Sequence, residues 1–238
     1  MQTAPPATET SDENSFGGCL FYAGEFNEQG RAMVVAGNVA GAATLTATAD
    51  IPAQKQAIRL GIVDFLVTSL DESLRILKNE IRKRNTVAVC VAAAPEAVEC
   101  EMLERGVVPD LLRSHSDAGA AVAKFGSRAK PISPASARES FPLLIWQASG
   151  TPARSMPRLD ALALDCLPPE EVAARRWARL APRYCGRLAE SIRVLRCDQN
   201  IARRFAERVQ AAIATGEVAG VEVRIRTALG DQVLVEAS

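Results

Sequence analysis

Three sets of residues in this 238-residue chain have types and spacings that chemistry uses. The first is Gly37 and Gly41 in "VVAGNVAGAA", residues 34–43, with Asn38 beside them. A strand, a glycine loop and a helix N-terminus make an anion site, because unpaired backbone N–H groups and the helix dipole converge on one spot. The dinucleotide fingerprint uses three glycines, each with its own steric task; G-x-x-x-G supplies two. The segment therefore reads either as a phosphate-cradling loop or as a turn that cannot hold a Cβ. The second set, His115 with Ser114, Ser116 and Asp117, has the residue types of a nucleophilic triad. Triads are assembled from separate chain segments rather than from neighbours, so a surface-loop histidine is the simpler reading. The third set is carboxylates. Asp64 and Asp71 could pair, but Asp71 serves a helix N-terminus more simply. Asp110 stands at a strand end, and ligands of open parallel sheets bind beyond the carboxyl ends of strands. A turn-forming aspartate after Pro109 is the alternative.

Six cysteines, Cys19, Cys90, Cys100, Cys166, Cys185 and Cys197, are scattered without C-x-x-C pairs, and His115 is the only histidine. That pattern predicts no metal site. Cys90 lies in an apolar run and reads as a small buried hydrophobe rather than a nucleophile. Unpaired thiols of this kind fit a reduced, cytoplasmic setting. The 28 basic and 28 acidic residues cancel, so no global field calls for nucleic acid or an anionic membrane. Residues 175–208 hold ten arginines. Without interleaved aromatics they read as a solvated helical face with i,i+4 pairs such as Arg203–Glu207, and no nucleic-acid partner is expected. No apolar run approaches the ~20 residues that span a bilayer. The opening "MQTAPPATETSDENS" lacks a secretory-signal pattern, and its Pro, Thr, Ser and acidic content predicts a disordered tail.

The elements that must position these residues are clearest over residues 61–113. "GIVDFLV" has strand length and β-branched content. "SLDE" then forms a capping box, and Leu70, Leu74, Leu77 and Ile81 recur as one helical stripe. "TVAVCVAA" is apolar on both faces, as a central parallel strand must be. Pro95 suits a first helical position, the helix "PEAVECEMLER" stops at Gly106, and "VVPDLL" is a further strand. This β-α-β-α-β order predicts a right-handed parallel sheet. Upstream, "GGCLFYAGEF" and "RAMVVAG" each predict a short strand. Residues 114–140 predict a loop, "FPLLIWQ" a buried strand, and the proline-bearing stretch 150–170 only short regular structure. "SIRVLRC" predicts a strand, and residues 198–216 a helix capped by Asp198, with Ile201, Phe205, Val209 and Ile213 as its stripe and Gly216 as its stop. "VEVRIR" and "VLVEA" predict a terminal hairpin with one wet face.

At "SLDESLRILKNEIRKRNTVAVCVAAAPEAVECEMLERGVVPDLL" the chain resembles urocanase, the hydro-lyase of histidine degradation. The order of parts carries the resemblance: a capped helix after a "VD" strand, a strand running into a helix, then "RGVVPD" at residues 105–110. Upstream, "VVAGNVAGAATL" falls where that family carries its glycine-rich dinucleotide loop; downstream, "RRWARLAPRY" and "ATGEVAGVEVRI" echo its second half. The resemblance implies a Rossmann-like domain that binds NAD, with the nicotinamide acting as an electrophile toward the substrate imidazole before water adds. It implies Gly37, Asn38, Gly41, Ala92 and Asp110 as the residues nearest the cofactor.

The departures from the family's pattern bear on activity. Its glycine-dense loop is reduced to "GNVAG", its polar strand end is "AAAPEA", and Ile145 in "PLLIWQ" stands where its active-site cysteine would be. Losing these together removes positioning and electrostatic stabilisation, the largest contributions to a rate enhancement.

The sequence thus predicts an α/β fold: a Rossmann-like parallel sheet with helices on both faces, plus a smaller C-terminal α+β part. Residues 1–16 would be the tail, 17–130 the urocanase-type domain and 131–238 the smaller part. The expected function is that of a cytoplasmic urocanase-like binding or accessory component with a residual NAD or nucleotide pocket. It would assemble with itself or with a full-length relative. The alternative is an NAD-dependent urocanate hydratase with displaced active-site groups, such as a thiol from Cys166 or Cys185.

Overall fold

The computed structural model describes residues 16–113, 125, 128–132, 142–184 and 190–237. His115 with its neighbours, and Cys185, lie outside them. The chain divides into two compact units, Met1–Lys55 with Val63–Ile132, and Gln56–Ile62 with Ser133–Ser238.

The first unit is a parallel sheet. Its strands are β1 (Leu20–Glu25), β2 (Ala43–Ala47), β3 (Phe65–Val67), β4 (Val87–Val91), β5 (Leu111–Arg113) and β6 (Lys130–Ile132). They lie in the order β3-β4-β2-β1-β5-β6, every pair parallel. The chain builds outward from β1 in one direction and, after β4, returns to β1's other side at β5. The strand order therefore reverses between β1 and β5. Every residue of β2 and β4 is buried, which suits their interior places. β3, at the edge, is three residues long.

Helices α1 (Glu28–Ala40), α2 (Ile51–Arg59), α3 (Leu70–Lys83) and α4 (Pro95–Glu104) alternate with these strands. Side chains alternate across a strand, and the sheet is covered on both faces. Leu20 and Tyr22 of β1 share a core with Leu70, Leu74 and Leu77 of α3 and Val98 and Met102 of α4. Phe21, pointing the other way, meets α1. Ser69 caps α3 by accepting from the Glu72 N–H at 3.3 Å, as its spacing predicts.

Residues 34–40 are helix, not the expected strand and glycine loop. The β-branched run there is only Val34–Val35, set among good helix formers. The buried positions Gly30, Met33, Val34, Gly37 and Asn38 follow the 3.6-residue period. Gly37 lies inside α1, where a Cβ would stand 2.5 Å from Thr44 Oγ1 and 2.9 Å from Phe21 Cδ1. Its smallness lets α1 sit down on β1 and β2. Gly41 is the left-handed residue that ends α1, at φ 87°, which suits glycine.

The second unit holds an antiparallel sheet, β10-β9-β7-β8, built from β7 (Leu143–Ala148), β8 (Ile192–Arg196), β9 (Val221–Thr227) and β10 (Gly230–Ala237). One face packs on α5 (Pro152–Cys166), α6 (Val172–Tyr184) and α7 (Gln199–Ala214). Trp146 and Phe205 meet at its centre with ring centroids 5.1 Å apart. Asp198 caps α7 by accepting from the Ile201 N–H at 2.8 Å.

Helix α5 overturns the expectation of short structure over residues 150–170. Its interior Pro157 costs about 3 kcal/mol. Burial of Met156, Leu159, Leu162 and Cys166, at roughly 1.5–3 kcal/mol for each large apolar side chain, exceeds that. Among the described residues no helix is long and apolar enough to cross a membrane.

Candidate functional site

The reversal of strand order between β1 and β5 marks where an open parallel sheet presents a ligand crevice, at the carboxyl ends of the strands. The first turn there is residues 24–30, "GEFNEQG". Its glycines are Gly24 and Gly30. Gly30 is pressed so closely on the turn that a Cβ would fall 1.8 Å from the Glu25 carbonyl oxygen. Asn27 caps α1: its Oδ1 accepts from the Gly30 N–H at 2.9 Å, and its Nδ2 donates to Glu25 Oε2 at 3.0 Å.

Arg113, the last residue of β5, holds this turn from beneath. It is only 6% exposed. Its Nη1 donates to the carbonyls of Ala23 (3.2 Å) and Glu25 (3.3 Å), and its Nη2 to Gln29 Oε1 at 3.2 Å. Burial lowers its pKa from the ordinary arginine value, opposed by the nearby Glu25 charge. From β2, Thr46 Oγ1 donates to the Gly24 carbonyl at 2.8 Å. Gln54 Nε2 donates to the Thr48 carbonyl at 2.9 Å.

Among the described residues this rim is rich in carboxylates. Glu25 ends β1 and Glu28 follows it, Asp50 follows β2, Asp71 and Glu72 follow β3, and Glu96 follows β4. Asn27, Asp50 and Ser69 each accept a backbone N–H at the start of α1, α2 or α3. The positive ends of α1, α2 and α3 are thus met by the chain's own side chains, whereas Ala94 gives α4 no side-chain cap. A pyrophosphate entering at residues 24–30 would face Glu25 and Glu28.

The five sequence-predicted residues do not converge. Ala92 lies just past β4 on the carboxyl rim, where its N–H donates to the Val67 carbonyl at 2.8 Å. Asp110 lies at the opposite end, because β5 begins after it. Its Oδ2 accepts from the Leu20 N–H at 2.7 Å, and its own N–H donates to the Leu20 carbonyl at 2.9 Å. Asp64 does the same before β3, exchanging bonds of 2.9 and 2.8 Å with Ala88. Both aspartates lace the amino ends of adjacent strands together. Gly37 and Asn38 are buried in α1 against the sheet, and Gly41 ends that helix before the amino end of β2.

Cys90, Cys166 and Cys197 are placed for packing, whereas Cys100 on α4 is exposed. Cys90 is fully buried in β4, and desolvation pushes its pKa up to about 12. Cys166 and Cys197 belong to the core of the second unit, where burial likewise pushes the Cys197 thiol up to about 12. Cys19 is half-buried beside Asp110, and burial together with that charge raises its pKa. A raised pKa keeps a thiol protonated and unreactive near neutrality. Ile145 is buried in β7. Among the described residues no three His, Cys, Asp or Glu side chains cluster to hold a metal.

The arginine-rich segment closes helix ends. Arg175 Nη1 donates to the carbonyls of Leu164 (2.9 Å) and Leu167 (2.6 Å), and Arg204 Nη2 to that of Cys166 (2.6 Å), so both finish the C-terminus of α5. Arg193 pairs with Asp160 at 2.9 Å and Arg208 with Asp165 at 3.2 Å.

Sequence reasoning missed Gly24, Asn27, Gly30 and Arg113. The available signal was "EFNEQG": an Asn placed three residues before a Gly, directly after an apolar run. No family model matches the chain.

Proposed function

We propose that the chain is a urocanase-like binding or accessory component that keeps the family's parallel sheet without hydratase catalysis and without a dinucleotide cradle. The observation that carries this reading is the acidic, self-capped turn at residues 24–30. NAD does not fit it: Glu25 and Glu28 oppose the pyrophosphate charge, and Asn27 and Arg113 are already engaged with the turn itself. Of the two candidate thiols, Cys166 is buried in the core of the second unit and lends hydratase chemistry no support; Cys185 lies outside the described residues. The free cysteines among the described residues support a cytoplasmic setting. Its partner is a second copy or a full-length relative. A nucleic-acid partner is disfavoured, because the arginines that pair with Asp160 and Asp165 or cap α5 are committed within the chain.

The testing experiment is a urocanate hydration assay with added NAD, run beside size-exclusion chromatography with light scattering. The reading expects no turnover and a self-associated species, or a mixed species with a full-length urocanase. Turnover at ordinary enzymatic rates would overturn it.

A further inference from the structure

Strand β3 leaves apolar side chains in water. Phe65 is 47% exposed and Leu66 39%, because among the described residues no strand pairs beyond β3. A three-residue edge offers little ladder to extend, so a partner here is held by side chains. Phe65 and Val87 line an open groove with Arg75, Ile76, Asn79 and Glu80 of α3.

The charges around this groove come in both signs. Arg75 acts on Asp71, one turn earlier on α3. Glu80 accepts from Lys83 Nζ at 3.2 Å and from Asn85 Nδ2 at 2.8 Å, which holds its carboxyl below the usual range and keeps it ionised near neutrality. Asp64 Oδ2 accepts from the Ala88 N–H. A ligand of one net charge meets no uniform field here. The signs are instead sorted lengthwise: α3 carries Asp71 and Glu72 in its first turn and Arg82 and Lys83 in its last. Residues three and four apart share a helix face, so Glu72 and Lys83 extend the groove-lining row of α3 at its two ends.

That row is its own complement when reversed. Two copies of α3 laid antiparallel about a twofold axis set Glu72 against Lys83 of the second copy, Arg75 against Glu80, and Ile76 against Asn79. Each pairing occurs twice, and the contact closes on itself as an isologous one must. We propose that the chain forms a twofold dimer through α3 and the β3 edge, with a second copy of itself as the occupant of this surface. The two Phe65 rings are then covered by the facing copy, with the charged pairs to either side. Taking a second copy as partner rests on the accessory reading above; the surface itself does not. One helix face makes a small interface, of the class below about 1,200 Å2 that forms weak complexes, so monomer and dimer exchange at micromolar concentration.

Sedimentation velocity of the full chain across micromolar concentrations tests this through charge reversal. Glu72→Lys alone and Lys83→Glu alone each turn two exposed pairs repulsive, and each weakens dimerisation about tenfold. An equimolar mixture of the two variants forms a heterodimer near the parent affinity, because unlike charges again face each other at both ends. Phe65→Ser weakens dimerisation about thirtyfold, since two rings lose their cover at once. All three side chains are exposed, and unchanged far-UV circular dichroism verifies that the variants fold. A chain that stays monomeric throughout overturns the proposal, as does a dimer that charge reversal leaves intact or that the mixture fails to restore. A dimer indifferent to these changes places self-association on another surface and leaves the accessory reading standing, which the hydration assay judges separately.

Discussion

Replacing Gly37 by alanine distinguishes a packing glycine from a ligand-binding one. In a helix interior the change adds about 1 kcal/mol of stability through propensity alone. At this position the new Cβ would stand 2.5 Å from Thr44 Oγ1 and 2.9 Å from Phe21 Cδ1. Neither neighbour yields cheaply: Thr44 is β-branched and stiff at χ1, and Phe21 is buried in the central strand. Overpacking of this kind costs roughly 1–3 kcal/mol. The clash outweighs the propensity gain, and Gly37→Ala destabilises by about 1 kcal/mol. Thr44→Ala removes the closer obstacle, so the double variant recovers part of the loss, with a coupling of about 1 kcal/mol, within the range found for contacting residues. Urea unfolding followed by far-UV circular dichroism measures all four corners of the cycle. A Gly37→Ala variant more stable than the parent, with no coupling to Thr44→Ala, would refute the close approach of α1 to the sheet.

Asp110→Ala strips the acceptor from the part-buried Leu20 N–H; losing such a hydrogen bond costs about 0.5–1.5 kcal/mol, so the urea midpoint falls, whereas a ligand-binding role alone would leave it unmoved. Burial raises the Cys90 thiol from its ordinary 9.0 to about 12, so the folded state holds a proton that the unfolded chain releases. Its contribution is therefore complete below pH 9 and is lost as pH climbs from 9 to about 12. Urea midpoints taken across that window should fall less steeply in Cys90→Ala, and an equal slope in both proteins would contradict the placement.

Helix α3 and strand β4 were legible because each carries an undiluted pattern: a leucine stripe behind Ser69 in one, five consecutive apolar residues in the other. Helix α7 and the final hairpin were legible for the same reason. Helix α1 was not, since its buried face is mainly glycine, valine and asparagine, whose hydrophobic contrast is weak, and the pair Val34–Val35 mimics a strand. Helix α5 was hidden by Pro157, whose penalty only tertiary burial offsets. Asp110 was recognised as a strand-end residue but assigned to the wrong end. Pro109 has no N–H to donate, so the β5 ladder starts after it, and "VVPDLL" alone does not say on which side of the aspartate pairing begins. The parallel with Asp64 in "GIVDFL" was visible in the sequence; its meaning, two aspartates tying neighbouring strands at their amino ends, required the register.

The proposed function has the parallel sheet outlasting a dinucleotide cradle. Thermal unfolding of the purified chain with increasing NAD tests it most directly, because a ligand of the native state stabilises it by about 2.7 kcal/mol at a concentration one hundred times Kd, or roughly 5–10 °C in Tm for a chain of this size. A flat melting temperature up to millimolar NAD is the predicted result. A concentration-dependent rise of several degrees, abolished by a substitution within residues 24–30, would contradict it.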